Sequence, residues 1–248
     1  SAAIGAAQAD STPQTLPFAQ DWTDTGLITA NDDWSNVPGI LGFLGGDLTS
    51  ANGVDPQTVL GADATGVVDV IANQTNTSIT NGGVAEFHIA DPVVALQGSG
   101  SADAPYLRIH LDTRGASGIQ VSYRLRDVDA SADDAAQQVA LHYRVGGTGD
   151  FVNVPEAYVA DASSPGGTRE TPVSVTLPAA ADNQALVELR IMTTNAAGND
   201  EWVGIDDISV VAAGVGSTPV INVGNGSVAE GDSGITEMFF QVALTRPA

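Results

Sequence analysis

Carboxylates are the residues in this chain best suited to chemistry. Asp21, Asp24, Asn31, Asp32 and Asp33 crowd the start, and Asp206 and Asp207 lie near the end. Ca²⁺ takes six to eight hard oxygen ligands, usually from loops, and these residue types supply them. Asp21, Asp33, Asp206 and Asp207 are therefore candidate metal ligands. Asp206 and Asp207 point to opposite faces of a strand, so at most one enters a given site. The alternative use of the same residues is local: Asp21 and Asp33 cap turns, and Asp206 bonds backbone amides.

A second acidic run is Asp127-Val128-Asp129-Ala130-Ser131-Ala132-Asp133-Asp134. Asp127, Asp129 and Asp133 alternate as in a Ca²⁺ loop, but the run lacks the central Gly and the distal Glu of an EF-hand. It reads as a solvated acidic hairpin loop, with Arg124 and Arg126 beside it as ion-pair partners.

Little points to catalysis. The three histidines, His88, His110 and His142, show no metal-ligand spacing and read as lone surface residues, His110 and His142 on polar strand faces. There is no Gly-x-Ser-x-Gly elbow, and the glycine pairs match no phosphate loop. The segment is thus expected not to be an enzyme. The tryptophans are Trp22, Trp34 and Trp202. Trp202 opens an apolar strand and is expected in the core, whereas Trp34 is the candidate exposed ring for stacking a sugar.

These residues must be positioned by strands. Leu107, Ile109 and Leu111 share one face of a run from 106 to 111. Residues 119–126, 139–145, 173–177, 186–191 and 202–210 repeat the pattern. Period-two alternation with one polar face means antiparallel sheets packed on one side. Six such strands within about a hundred residues predict an all-β sandwich of jelly-roll type. That domain is read over residues 18–212, after a lead-in of residues 1–17. A Gly-rich linker over 213–219 follows, and residues 220–248 supply only two or three strands of an incomplete unit. In the lead-in, Ala7-Gln8-Ala9 fits an A-x-A cleavage signature, so residues 1–9 are either a signal-peptide remnant or an Ala-rich leader.

Composition narrows the partners. The 248 residues include 30 acidic and 8 basic ones, for a formal net charge of -22, and hydrophobic residues make up 43%. A core is within reach, and disorder is not expected. The charge repels phosphate backbones and anionic membranes, so nucleic acid is not a direct partner without a bridging cation. The acidity serves either solubility or Ca²⁺ binding. Cys is absent, which removes disulfides and thiolate chemistry and suits bacterial export. No apolar run approaches the ~20 residues of a membrane span.

Several separated motifs occur in order: Phe18-Ala19-Gln20-Asp21-Trp22, Asn31-Asp32-Asp33-Trp34, Ala90-Asp91-Pro92-Val93-Val94, and Glu201-Trp202-Val203-Gly204-Ile205-Asp206-Asp207-Ile208. Together they resemble the N-terminal module of large bacterial extracellular nucleases of the ExeM/NucH type. The last motif also resembles the closing strand of adhesive and carbohydrate-binding jelly rolls. That resemblance favours an Asp206-type ligand meeting carboxylates from residues 21–33. Val228-Ala229-Glu230-Gly231-Asp232-Ser233-Gly234 is similar to the start of a Calx-β domain, an immunoglobulin-like sandwich associated with Ca²⁺.

The resemblances imply a non-catalytic, calcium-stabilised binding or spacer module of a large secreted protein, with phosphodiesterase chemistry in a separate downstream domain. Its expected partners are other domains of the same polypeptide and extracellular polysaccharide. The alternative is a structural subunit of a surface layer, filament or biofilm matrix, whose terminal strands join other copies by β-strand addition.

Overall fold

Strands form where the period-two pattern is strictest. Ile119, Val121, Tyr123 and Leu125 alternate with Gln120, Ser122, Arg124 and Arg126, and all four apolar residues are buried. Side chains of a strand point alternately to its two faces, so this set packs inward together. The structure is a computed structural model, and it describes residues 8–129, 135–163, 169–215, 221–223, 233, 240 and 242–244.

In chain order the strands are β1 (Gln8–Ala9), β2 (Gln14–Thr15), β3 (Phe18–Gln20), β4 (Asp33–Trp34), β5 (Ile40–Phe43), β6 (Ile71–Gln74), β7 (Gly83–Phe87) and β8 (Val93–Gln97). They continue as β9 (Tyr106–Asp112), β10 (Ala116–Asp127), β11 (Val139–Val145), β12 (Val152–Asn153), β13 (Glu170–Thr176), β14 (Val187–Thr193) and β15 (Val203–Val215). Helical structure among the described residues is limited to three short 3-10 turns.

Two sheets form the sandwich. One runs β13-β10-β15-β8-β7-β6, with β3 also paired to β15. The other runs β12-β11-β14-β9-β2, with β5 also paired to β9. Leu107, Ile109, Leu141, Leu189 and Ile191 of the second sheet and Val121, Val203 and Ile205 of the first belong to one core cluster. The fold is the all-β, jelly-roll-type sandwich that the pattern predicts. Short strands before residue 21 already join it: β2 lies parallel to β9 and β3 antiparallel to β15, while β1 pairs parallel with β4 in a separate two-stranded sheet.

The chain divides into two units, Ser1–Gly214 and Val215–Ala248. In the second, β16 (Ile221–Val223) pairs antiparallel with β17 (Val242–Leu244). Of the Calx-β-like motif at 228–234, only Ser233 falls among the described residues.

Two features depart from simple alternation. Asp207 has a φ of 49° and lies exposed between buried Asp206 and buried Ile208. Ile205 and Ile208 both reach the core, so one extra residue shifts the phase of β15, as a β-bulge does. The change of partner coincides with it: Val203–Ile205 pair with β8, and Ile208–Val210 with β3.

The second departure is the polar face of the β9-β14-β11 sheet. His110 and His142, expected at the surface, are 6% and 0% exposed. Residues 55–61 and 149–153 cover His142, whereas His110 sits against the Gly39 carbonyl and Glu188. Arg190 donates to the carbonyls of Gly61, at 2.9 Å, and Val59. The Phe151 N–H reaches the Leu60 carbonyl at 2.9 Å. The guanidinium carbons of Arg190 and Arg144 lie 4.1 and 4.3 Å from the centre of the Phe151 ring. Such cation–aromatic contacts let charged side chains sit under a cover that is partly apolar.

Candidate functional site: an acidic cavity at the β10 and β15 ends

Asp127 closes β10, and the chain then turns beside the start of β15. The Val128 N–H donates to the Trp202 carbonyl at 3.2 Å, and the Trp202 N–H approaches Asp129 Oδ2 at 3.4 Å. These contacts bring Asp127, Asp129 and Glu201 together. One carboxylate oxygen from each lies within 4.8 Å of the others. Asp127 and Glu201 are buried, and Asp129 is half-buried. Glu201 is fixed through its backbone, whose N–H donates to Gln137 Oε1 at 3.3 Å.

Gln137 is itself fully buried, and its Nε2 donates to Thr193 Oγ1 and the Thr194 carbonyl, each at 2.9 Å. Donors that are all hard oxygen suit Ca²⁺ or Mg²⁺ and not the softer metals, which prefer His or Cys. One oxygen from each of the three carboxylates is placed where such a cation could be held.

The cluster adjoins a cavity of about 510 Å³ lined by residues 77–80, 97–99, 129 and 198–201. Pockets that enclose small ligands span ≈ 300–1,000 Å³. Polar and apolar surface share its walls about equally, and the polar groups are the hydroxyls of Thr77, Ser78, Thr80 and Ser99, the Gln97 and Asn199 amides, and the carboxylates of Asp129, Asp200 and Glu201. The Trp202 indole N–H donates to the Ile79 carbonyl at 2.7 Å and holds the 77–80 wall.

The structure does not gather the four carboxylates first singled out from the sequence. β3 and β15 are neighbours, as expected of first and last strands, but their acids turn to other partners. Asp21 accepts from the Thr23 N–H at 3.1 Å and the Thr23 hydroxyl at 2.8 Å, bonds that lower its pKa. Asp33 accepts from the Ser35 N–H at 3.0 Å, with the same effect. Both are local turn caps.

Asp206 is 1% exposed, and its Oδ2 faces Arg126 at 2.7 Å and Arg124 at 3.3 Å. Asp207 reaches Arg124 at 3.1 Å. Two guanidiniums thus occupy the side of Asp206 on which a cation would bind. Burial raises the pKa of Asp206, against the Asp207 N–H and Arg126 hydrogen bonds that pull it down.

Of the second acidic run, Asp127 and Asp129 do converge on a site. Asp127 is buried and Asp129 half-buried there, and Asp133, with the rest of the run from 130 to 134, lies outside the described residues. Glu201 is the member that sequence reasoning missed. Seventy-odd residues separate it from the run, and only the pairing of β10 with β15 makes them neighbours.

Trp34 is not an exposed platform. It is 0% exposed, packs edge-on against Trp22 at 6.4 Å, and donates its indole N–H to the Asp69 carbonyl at 3.1 Å. A buried indole with its N–H satisfied is a core element. Trp202 is fully buried, as expected, edge-on to Phe87.

The histidines are held in other networks. His88 meets Glu86 at 3.1 Å, His110 meets Glu188 at 3.3 Å, and His142 accepts from Arg190 Nε at 3.1 Å. None of the three lines the cavity.

No protein-family model matches this sequence, and no curated protein does. Solved structures do. A carbohydrate-binding module specific for non-crystalline cellulose is 14% identical, with 52% of this chain and 80% of that one covered at a TM-score of 0.39. The K2 cleaved adhesin domain of Lys-gingipain is 17% identical over 70% of this chain and 98% of its own, at a TM-score of 0.38. TmCBM61, solved in complex with β-1,4-galactotriose, is 12% identical over 51% and 74%, at 0.32.

Proposed function

We propose that the first unit is a non-catalytic, calcium-stabilised binding module of a secreted protein. In this reading Asp127, Asp129 and Glu201 hold Ca²⁺, and the adjoining cavity takes part of an extracellular saccharide. The observation that carries it is the convergence of three carboxylate oxygens within 4.8 Å beside a cavity of about 510 Å³ walled by hydroxyl, amide and carboxylate groups. Such walls match the donors and acceptors of a polyol. A cation at the junction of β10 and β15 would neutralise the cluster and tie two strand ends together. No helix among the described residues is long and apolar enough to cross a membrane. In this reading the resemblance of the sequence motifs to extracellular nucleases supports a position beside a catalytic domain, which the module would hold near polymer.

A thermal melt of the full chain in millimolar Ca²⁺ and again in EDTA tests the metal. An ion that binds only the native state at a hundred times its Kd adds about 2.7 kcal/mol. The upward shift is expected in Ca²⁺ and is lost in Glu201→Gln. An identical melt in both buffers sinks the calcium assignment. Titration calorimetry against soluble glycans tests the cavity, and silence across the whole panel sinks the saccharide assignment.

A further inference from the structure

The walls of the cavity share one anchor. They come from separate stretches of chain, 77–80, 97–99, 129 and 198–201. The first three are all tied to Asp200-Glu201-Trp202, where the last runs into β15. Residues 77–80 belong to no strand, and the Trp202 indole N–H holds the Ile79 carbonyl at 2.7 Å. Gln97 Nε2 donates to the Asp200 carbonyl at 2.9 Å, and Gln97 Oε1 accepts from the Gly82 N–H at 3.2 Å. Gly98 lies so close that a Cβ on it would come within 2.3 Å of Asp200 Oδ1 and 2.4 Å of Asn195 Cα. The Trp202 N–H approaches Asp129 Oδ2 at 3.4 Å, and the Val128 N–H donates to the Trp202 carbonyl at 3.2 Å.

Glu201 sits in the middle of that anchor and is also a member of the acidic triad. Asp129 is both wall and triad member, whereas Asp127 belongs to the triad alone. Without a cation the three like charges repel, which pushes the 127–129 strand end and the 200–202 anchor apart. With a cation between them the force reverses. It acts on the tripeptide from which the 77–80 and 97–99 walls hang. Two sites that share a moving part share a coupling free energy, and the coupling is reciprocal.

We infer that Ca²⁺ switches the cavity on: the ion at Asp127, Asp129 and Glu201 fixes the Asp200-Glu201-Trp202 anchor, and the anchor sets the 77–80 and 97–99 walls for saccharide. This inference rests on the calcium and saccharide readings above.

Two measurements on the full chain test it, and the first needs no sugar. The indole N–H groups are separate probes, because Trp202 bonds the Ile79 carbonyl and Trp34 bonds the Asp69 carbonyl. Hydrogen exchange at the Trp202 indole is expected to be about tenfold slower in millimolar Ca²⁺ than in EDTA, with Trp34 changing less. If the melt shifts with Ca²⁺ but Trp202 exchange does not, or slows only as much as Trp34, the inference is overturned and the calcium site stands. The second measurement is titration calorimetry with cello-, xylo- and galacto-oligosaccharides in the same two buffers. A series that binds is expected to bind about tenfold more tightly with Ca²⁺, within the roughly 5–150-fold usual for coupled sites, and to tighten Ca²⁺ binding by the same factor. Equal sugar affinity in both buffers overturns the inference and leaves the binding module standing. Asp127→Asn alters the triad without altering a wall, and in Ca²⁺ it is expected to exchange and bind as the wild-type protein does in EDTA. A variant that keeps the Ca²⁺-dependent protection of Trp202 overturns the role of the triad. If Ca²⁺ leaves the melt unchanged, the calcium reading and the inference fall together. If no sugar binds in either buffer, the saccharide reading and the inference fall together.

Discussion

The Trp202 indole donates to the Ile79 carbonyl at 2.7 Å, and Trp202 directly follows Glu201. One bond thus joins the 77–80 wall of the cavity to the strand that carries its acidic cluster. The ring itself is fully buried against Phe87. Core packing and site geometry are coupled through a single side chain.

Trp202→Phe separates these roles. Phenylalanine keeps an aromatic ring against Phe87 but loses volume and the N–H, leaving a half-buried carbonyl short of its donor. The expected loss of stability is about 2–4 kcal/mol, from the cavity and the unsatisfied group together. It should appear as a lower urea midpoint with an unchanged m-value. Affinity for Ca²⁺ and saccharide should drop as well, because the 77–80 wall loses its anchor. A variant with full stability would show that the indole bond is dispensable.

The strands were readable because their alternation is local. Residues 119–126 and 139–145 carry their pattern within seven or eight positions, and β10 and β11 contain them. What failed to read depends on distant chain. Trp34 sits among Asn31, Asp32 and Asp33 and looks exposed, but its cover comes from Trp22 and from the Asp69 backbone. His142 and Arg190 form a polar strand face that should be wet, and residues 55–61 and 149–153 close over it from elsewhere. Glu201 became a candidate ligand only once β10 and β15 were neighbours. Asp206 failed as a ligand for the same kind of reason, because Arg124 and Arg126 arrive from the adjacent strand.

Asp69 predicts an unusual pH response. Burial pushes its pKa up to about 6, with the Asp32 charge adding to the rise and the Val84 N–H bond opposing it. The unfolded chain releases the same proton near pH 4. Between about pH 4 and 6 the folded state holds more proton at this site, so its contribution to stability falls as pH rises through that window and stays lowered above it. The displacement corresponds to at most about 3 kcal/mol. Asp69→Asn retains an acceptor for the Val84 N–H and removes the charge. It should melt higher than the wild-type protein at pH 7.5, with the gain shrinking towards pH 4. A variant less stable at pH 7.5 would show that the charged form is the one the fold prefers.

His142 works in the opposite sense. Burial and the Arg190 charge lower its pKa to about 3, partly offset by the Pro56 carbonyl. The unfolded chain takes up this proton near pH 6.5. Stability from this group is complete above pH 6.5 and is lost as pH falls towards 3. Because Nδ1 accepts from Arg190, the neutral ring carries its proton on Nε2. Nitrogen-detected NMR should therefore find His142 in the Nε2–H tautomer with flat shifts from pH 8 to 5. A titration centred near 6.5 would mean that the Arg190 contact is not formed in solution.

Among the described residues Glu188 is the one carboxylate in close contact with Arg144, which it meets at 2.5 Å, and it also faces His110 at 3.3 Å and Arg108 at 4.0 Å. Burial pushes its pKa up, but the His110 and Arg144 hydrogen bonds and the neighbouring guanidinium charges outweigh it and hold the group at about 2. Its stabilising contribution is present above the ordinary carboxylate range and is lost as pH falls from about 4.3 to 2. Removing one partner of a buried pair leaves the other charge uncompensated, at about 3–5 kcal/mol. Glu188→Gln keeps the shape and removes the charge, so Arg108, Arg144 and Arg190 would repel one another beneath the 55–61 and 149–153 cover. The expected result is a loss in that range at pH 7, read from urea unfolding, together with faster hydrogen exchange at the Val59 and Phe151 amides of the covering segments. A variant that unfolds at the wild-type midpoint would show that the cluster is held by its aromatic and carbonyl contacts and not by this carboxylate.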